Sequence, residues 1–157
     1  MIRFIAAIDT KRGLANNDGI PWQGKLPTDV AYFREKTLNG TVMMGQGWYE
    51  EQEKPLPLRR NLVASTRLEH VRPGFELIID ARDFLQTTDG DVWVGGGAVL
   101  FESTLDLADE LYLTLIDADF ECTKFFPEFE HAFHCVERST QQQENGISFC
   151  FTVWQRT

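Results

Sequence analysis

A chain of 157 residues, 43% of them hydrophobic and 12 of them phenylalanine, has the size of one compact domain that buries about 70% of its unfolded surface. Its formal net charge of −9 repels a phosphate backbone, and no Lys/Arg run offsets that locally, which argues against a nucleic-acid partner. An anionic ligand must be held by a few placed cations and backbone N–H groups working against the overall field.

In chain order, the apolar run of residues 2–8, interrupted by Arg3, is too short to span a bilayer and lacks the layout of a signal peptide. The expected setting is the cytoplasm, with no membrane partner. RFIAAI reads as a first strand. Residues 9–26 then form a long irregular stretch rich in Asn, Gly and Lys, and a loop of that length in so small a chain points to function. PTDVAYFREKTL, ARDFLQTT and GAVLFESTLDLA carry apolar residues at three- and four-residue spacing and predict helices. GTVMM, RNLVAS, FELIID, DVWVG and ELYLTLI predict strands between them, so the chain is expected to be α/β with βαβ units and a parallel sheet. AFHCVE and ISFCFTVW follow, joined by RSTQQQENG with no room for a crossover helix, which predicts an antiparallel pair. Eight strands are expected in all, in a single domain over residues 1–157 with no linker or repeat. Cys122, Cys135 and Cys150 match no zinc spacing and read as packing residues; no metal is expected.

Among the polar residues, Asp29 opens a predicted helix whose apolar face carries Val30 and Phe33. An acidic residue there is favoured by the helix dipole alone, and equally it projects from a first turn toward a pocket. Gly95, Gly96 and Gly97 stand between a strand and a helix, where backbone N–H groups can cradle a pyrophosphate. They do not form the Rossmann fingerprint, because Leu100 occupies the place of the third spaced glycine.

The stretch IPWQGKLPTDVAYFREKT, residues 20–37, resembles the PW, LPxD and FxxxT pattern of dihydrofolate reductases. The resemblance continues through VMMGQGWYE, KPLPLRRNLVAST, VWVGGGAVLFE, ELYLTLIDADF and KFFPEF to the closing SFCFTVW, and so covers essentially the whole chain. It implies a central eight-stranded, mostly parallel sheet with an antiparallel C-terminal strand and flanking helices. The activity it implies is reduction of 7,8-dihydrofolate to 5,6,7,8-tetrahydrofolate by hydride transfer from NADPH. On that resemblance Asp29 anchors the pterin, Thr114 orients the carboxylate, Trp22 lies over the substrate and orders a water, and Ile20 ends the gating loop. Ile5, Ala6, Phe33 and Leu56 line the substrate, and Arg59 pairs with the carboxylate of its glutamate tail. The cofactor falls to Ala7, Ile20, Gly45, Gln46, Gly47, Trp48, Ser65, Thr66, Arg67, Gly95, Gly96, Gly97, Ala98, Val99 and Phe101.

Several positions depart from the family pattern. Gln46 stands where an arginine usually meets the 2′-phosphate, so NADH becomes possible beside NADPH unless Arg67 supplies the missing cation. Trp48 replaces a small hydroxyl residue. Gly95 replaces a bulky aliphatic one, which predicts either a roomier pocket or a local shift of the chain. Cys122, Thr123 and Lys124 replace the Gly–Asp pair that latches the active-site loop, and WQGKLP is two residues longer than the short family form. Two other functions fit parts of the pattern: a pyrimidine reductase of riboflavin synthesis on the same fold, and a folate-binding module without turnover. A monomer is expected, because no apolar heptad offers a partner face.

Overall fold

The structure is a computed structural model that describes residues 1–157. Its elements in order are β1 (Ile2–Ile8), β2 (Gly13–Ala15), α1 (Pro27–Thr37), β3 (Thr41–Gly45), α2 (Gln46–Glu51), β4 (Arg60–Ala64), β5 (Phe75–Ile78), α3 (Ala81–Thr87), β6 (Val92–Val94) and α4 (Ala98–Thr104). A single 3-10 turn over Leu105–Leu107 leads to β7 (Glu110–Ile116), β8 (Lys124–Phe125), β9 (Phe133–Arg138), β10 (Gln142–Glu144) and β11 (Ile147–Arg156).

The nine-stranded sheet runs β10-β11-β7-β1-β6-β3-β4-β5, with β9 also paired to β11. Strands β1, β3, β4, β5, β6 and β7 are parallel to one another, and β11 enters antiparallel to β7. The mostly parallel core and antiparallel C-terminal strand match expectation. Eight of the nine strands were expected. The ninth, β10, breaks the polar RSTQQQENG connection into a second short hairpin against the start of β11, turning at Asn145 and Gly146, both at positive φ. An Asn-Gly pair is the preferred chemistry for such a two-residue turn.

Alternation along β1 splits the core into two layers. Phe4 and Ile8 point into a cluster with Met43, Leu62, Leu111, Leu113 and Phe126, covered by Leu85 of α3 and Leu100 of α4. Ile5 faces the other way, with Val42 and Trp93, beneath Tyr32 and Phe33 of α1. On that same side Tyr49 of α2 packs on Met44, Val63 and Phe75. Helix α2 follows β3 without a break and was not expected as a helix. Because β1, β3, β6 and β7 are parallel, their C-terminal ends gather on one edge, where open α/β sheets bind ligands. No helix is long and apolar enough to cross a membrane.

Candidate active site

Strands β1 and β7 lie side by side with Ile5 opposite Tyr112 and Ala7 opposite Thr114. Pro27, preset for the first helical position, starts α1 over this pair and brings Asp29 down onto it. The Thr114 hydroxyl, 2% exposed, donates to Asp29 Oδ1 at 2.6 Å. That leaves the rest of a half-buried carboxylate with acceptor capacity and no partner in the protein. Burial pushes the Asp29 carboxyl above its ordinary range; the Thr114 hydrogen bond opposes this, and the charge of Glu144 adds to it.

Thr37 lies eight residues further along the helix, about 12 Å at the α-helical rise. Its hydroxyl donates to Phe33 O at 2.8 Å and accepts from Arg59 Nη1 at 3.1 Å, while Arg59 Nε donates to Pro57 O at 3.0 Å. Burial and the neighbouring Arg34 lower the Arg59 guanidinium below its ordinary value, so two cations face one region at this end. Adjacent Arg60 points elsewhere, forming an exposed two-bond fork with Glu76.

A second constellation lies where β3 and β6 end. Gly45 N donates to Gly96 O at 2.6 Å, and a Cβ on Gly45 would stand 3.2 Å from Gly97 N. A side chain at Gly45 would crowd that backbone, so glycine favours so close an approach. Helices α2 and α4 both begin at this contact, and neither has a side-chain N-cap, so their first-turn N–H groups remain to be satisfied. A side-chain-free cradle faced by uncapped N–H groups fits a pyrophosphate. Beside it, a Cβ on Gly95 would meet Trp48 Cζ3 at 2.5 Å, and the Trp48 ring packs edge-on against Phe33 with centroids 5.9 Å apart.

Toward the outer strands, the Ser65 hydroxyl donates to Gln46 Oε1 at 2.7 Å and Gln46 Nε2 donates to Glu50 Oε1 at 2.7 Å. The Ser65 oxygen also accepts from the N–H groups of Arg67 and Leu68. Thr66 and Arg67 are exposed, and Arg67 pairs with no carboxylate.

A family model described as dihydrofolate reductase matches residues 1–156. The chain belongs to the dihydrofolate reductase family. It is 31% identical to dihydrofolate reductase of Bacillus subtilis over 161 residues, covering 99% of this chain and 95% of that protein. It is 34% identical to dihydrofolate reductase type 3 of Salmonella typhimurium over 152 residues, 95% and 93% of the two chains. Among solved structures, dihydrofolate reductase from Enterococcus faecalis complexed with NADP(H) and RAB-propyl superposes with a TM-score of 0.87 at 26% identity, covering 100% of this chain and 96% of that one.

Measured against the residues expected for a dihydrofolate reductase site, the structure brings Asp29, Thr114, Ile5, Phe33, Leu56 and Trp48 to one side of the sheet. Other expected residues sit in different surroundings. The Ala6 side chain packs into the opposite core layer, so only its backbone can face a ligand. Phe101 is 1% exposed and packed on Phe4 and Phe126, which makes it a core residue beneath Gly96. Val99 is 81% exposed, leaving its backbone N–H as its means of contact. Trp22 joins Ala7, Leu26, Ile116 and Phe149 in a cluster separate from that of Ile5 and Phe33, with its ring 5.3 Å from Phe120. Trp48 is the reason Gly95 can lack a side chain: the indole fills the space, so neither a roomier pocket nor a shifted chain is needed.

The loop of residues 9–26 is fastened despite the missing Gly–Asp latch. Its β2 pairs with β8, Thr123 N donates to Ala15 O at 3.0 Å, and the buried Asp9 carboxylate accepts from Gly13 N, Lys11 N and Phe120 N at 2.7, 2.9 and 3.1 Å. Ile20, at its far end, is 45% exposed. Burial and the charge of Asp9 push the Cys122 thiol up to about 11, so it stays protonated and inert beside the carboxylate. Asp9, Arg34 and Glu144 were not singled out in the sequence. Arg34, three residues before Thr37 and therefore on the same helical face, carried a readable signal; the other two depend on distant partners. A cavity of about 410 Å³ on the opposite layer, beside Ile8, Leu115 and Trp154, mixes Arg12 and Arg138 with Asp117 and Glu130 and so favours neither sign of ligand.

Proposed function

We propose that the chain reduces 7,8-dihydrofolate to 5,6,7,8-tetrahydrofolate by hydride transfer from NADPH, with Asp29 anchoring the pterin. The observation that carries this reading is the half-buried carboxylate with one hydroxyl donor and its remaining acceptor sites free. A pterin edge presents an amino group and a ring N–H side by side, and a carboxylate accepts both as a two-bond fork. Thr114 fixes which way the carboxylate turns, so it meets the ring already oriented.

Reduction consumes a proton as well as a hydride, and NADPH supplies the hydride. Burial makes the Asp29 carboxyl easier to protonate, which moves it toward a useful working range. Ile5 and Phe33 supply apolar walls for the ring, and Trp22 closes the space behind the loop ending in Ile20. At the other end of α1, Arg59 with Arg34 beside it suits the carboxylate of a glutamate tail. A pyrimidine substrate without that tail leaves Arg59 unused, which disfavours the riboflavin-pathway reading.

The cradle at Gly45, Gly96 and Gly97, with the first turns of α2 and α4, suits the pyrophosphate. At the adenosine end, the Ser65 hydroxyl and the Gln46 amide are already engaged, and Glu50 adds a carboxylate. Binding of a 2′-phosphate falls to Thr66 and Arg67, so preference for NADPH over NADH is narrower than an arginine at position 46 would give.

The test is loss of the dihydropyridine absorbance on mixing the protein with dihydrofolate and either dinucleotide. Dihydrofolate-dependent oxidation, faster with NADPH, is expected. Folate binding with no oxidation of either dinucleotide would leave a binding module and refute the reading.

A further inference from the structure

Helix α1 begins without a cap of its own, because Leu26 at its N-cap offers no side-chain acceptor. The acceptor comes from the C-terminal hairpin. Glu144, the last residue of β10, receives the Thr28 N–H on Oε1 at 3.1 Å and the Thr28 hydroxyl on Oε2 at 2.5 Å. Next to it, Asn145 Nδ2 donates to Lys25 O at 2.7 Å, so the hairpin grips the chain on both sides of Leu26 and Pro27.

We propose that Glu144 is a positioning residue for the Asp29 carboxylate, clamping the preceding residue from outside the helix and setting a second negative charge beside it. This rests on the reading of Asp29 as the pterin anchor. The clamp does for α1 what a side-chain cap does for α3, where Asp80 accepts from Asp83 N at 3.0 Å, but it does so from a separate element. The groups around Asp29 make that charge count. From β7 comes the neutral Thr114 hydroxyl. From α1 itself comes Tyr32, whose phenol burial pushes up to about 12 and which is therefore uncharged, and the Phe151 ring of β11 stacks on it. Glu144 is the charged neighbour acting on Asp29, and it works in the same direction as burial, raising the carboxyl against the Thr114 hydrogen bond. A like charge nearby disfavours ionisation.

Two substitutions separate geometry from charge. Glu144→Gln keeps an acceptor for the Thr28 N–H and a donor for its hydroxyl while removing the charge; Glu144→Ala removes both. The experiment titrates the ligand-free protein carrying carboxyl-13C aspartate by NMR, with the Asp29 signal assigned by its loss in Asp29→Asn. It is paired with the pH profile of dihydrofolate reduction with NADPH. In Glu144→Gln the Asp29 midpoint and the pH limb of the rate that follows it should both move to lower pH, with KM for dihydrofolate little changed. In Glu144→Ala the same shift should be joined by a raised KM; if that variant does not fold, Thr28→Ala, which deletes only the hydroxyl arm, should raise KM less. A Glu144→Gln midpoint coinciding with the parent's overturns the proposal, and leaves the anchoring role standing where Asp29→Asn is inactive. An active Asp29→Asn overturns the anchoring role and the proposal with it.

Discussion

Two carboxylates bracket the long loop, Asp9 at its start and Asp29 just past its end, and they are built for opposite purposes. Asp9 is 4% exposed and accepts three backbone N–H groups, two from its own turn and one from Phe120 across the loop pair. These three donors are fixed main chain, so the carboxylate is consumed in holding structure together. Asp29 meets one side-chain hydroxyl and a neighbouring negative charge, and its carboxyl is raised by burial, Glu144 adding to that. Satisfied buried polar groups rigidify a fold, whereas under-satisfied ones are costly and persist where a ligand completes them. The same side chain, twenty residues apart, is thus saturated by main-chain donors at one end of the loop and left with free acceptor sites at the other.

That contrast can be broken from the Asp9 side with the largest effect. Asp9→Ala strips the acceptor from three N–H groups, at about 1–3 kcal/mol for each one left buried and unpaired, so urea denaturation should show a severe loss of stability. Gly13→Ala attacks the same fastening without touching a charge: its Cβ would stand 2.6 Å from Cys122 Cβ and 2.7 Å from Asp9 Oδ2. Overpacking of that kind costs about 1–3 kcal/mol and should lower the thermal midpoint while leaving folate affinity of the folded protein nearly intact.

Changes on the Asp29 side should be smaller in stability and visible in pH dependence. Thr114→Val removes the hydrogen bond that lowers the Asp29 carboxyl, so its pH limb should move to higher pH, opposite in sign to Glu144→Gln, with about 1 kcal/mol of stability lost. The smallest effect is a linkage term. Asp29 has a folded value raised above its ordinary 3.8, so the stability it contributes is fully present below that value and is lost as pH rises through the raised one. Asp29→Asn should therefore gain stability relative to the parent near neutrality, and the gain should shrink as pH falls toward 3.8. A gain that stays constant with pH would mean that burial does not raise the Asp29 carboxyl.

The sequence carried the layers of the fold well, because hydrophobic period is local: β1, β3 to β7 and β11 are short apolar runs bounded by turn residues, and α1 shows its helical spacing. The helix start marked Asp29, but its pairing with Thr114 came through resemblance alone, since a pair 85 positions apart in the chain leaves no local trace. Helix α2 was missed because Gly47 stands in its first turn and six residues are too few to show a helical period. Strand β10 was missed because QQE is polar, although Asn145 and Gly146 signalled the turn. Motif position specifies backbone, whereas side-chain direction follows from which layer a residue faces, so the packing of Phe101 and Ala6 into the core layer was not legible. Trp48 and Gly95 each looked like an isolated departure; the indole standing where a Gly95 Cβ would be, 2.5 Å from it, shows them to be one exchange of volume.

The most direct measurement compares the parent with Asp29→Asn in dihydrofolate-dependent oxidation of NADPH, alongside thermal unfolding of both. A carboxylate that anchors the ring and bears on its protonation predicts a loss of about 10²–10⁴-fold in a variant that still folds. Equal rates in the two proteins would contradict the account, and would mean that the carboxylate beneath α1 is held for structure, as Asp9 is.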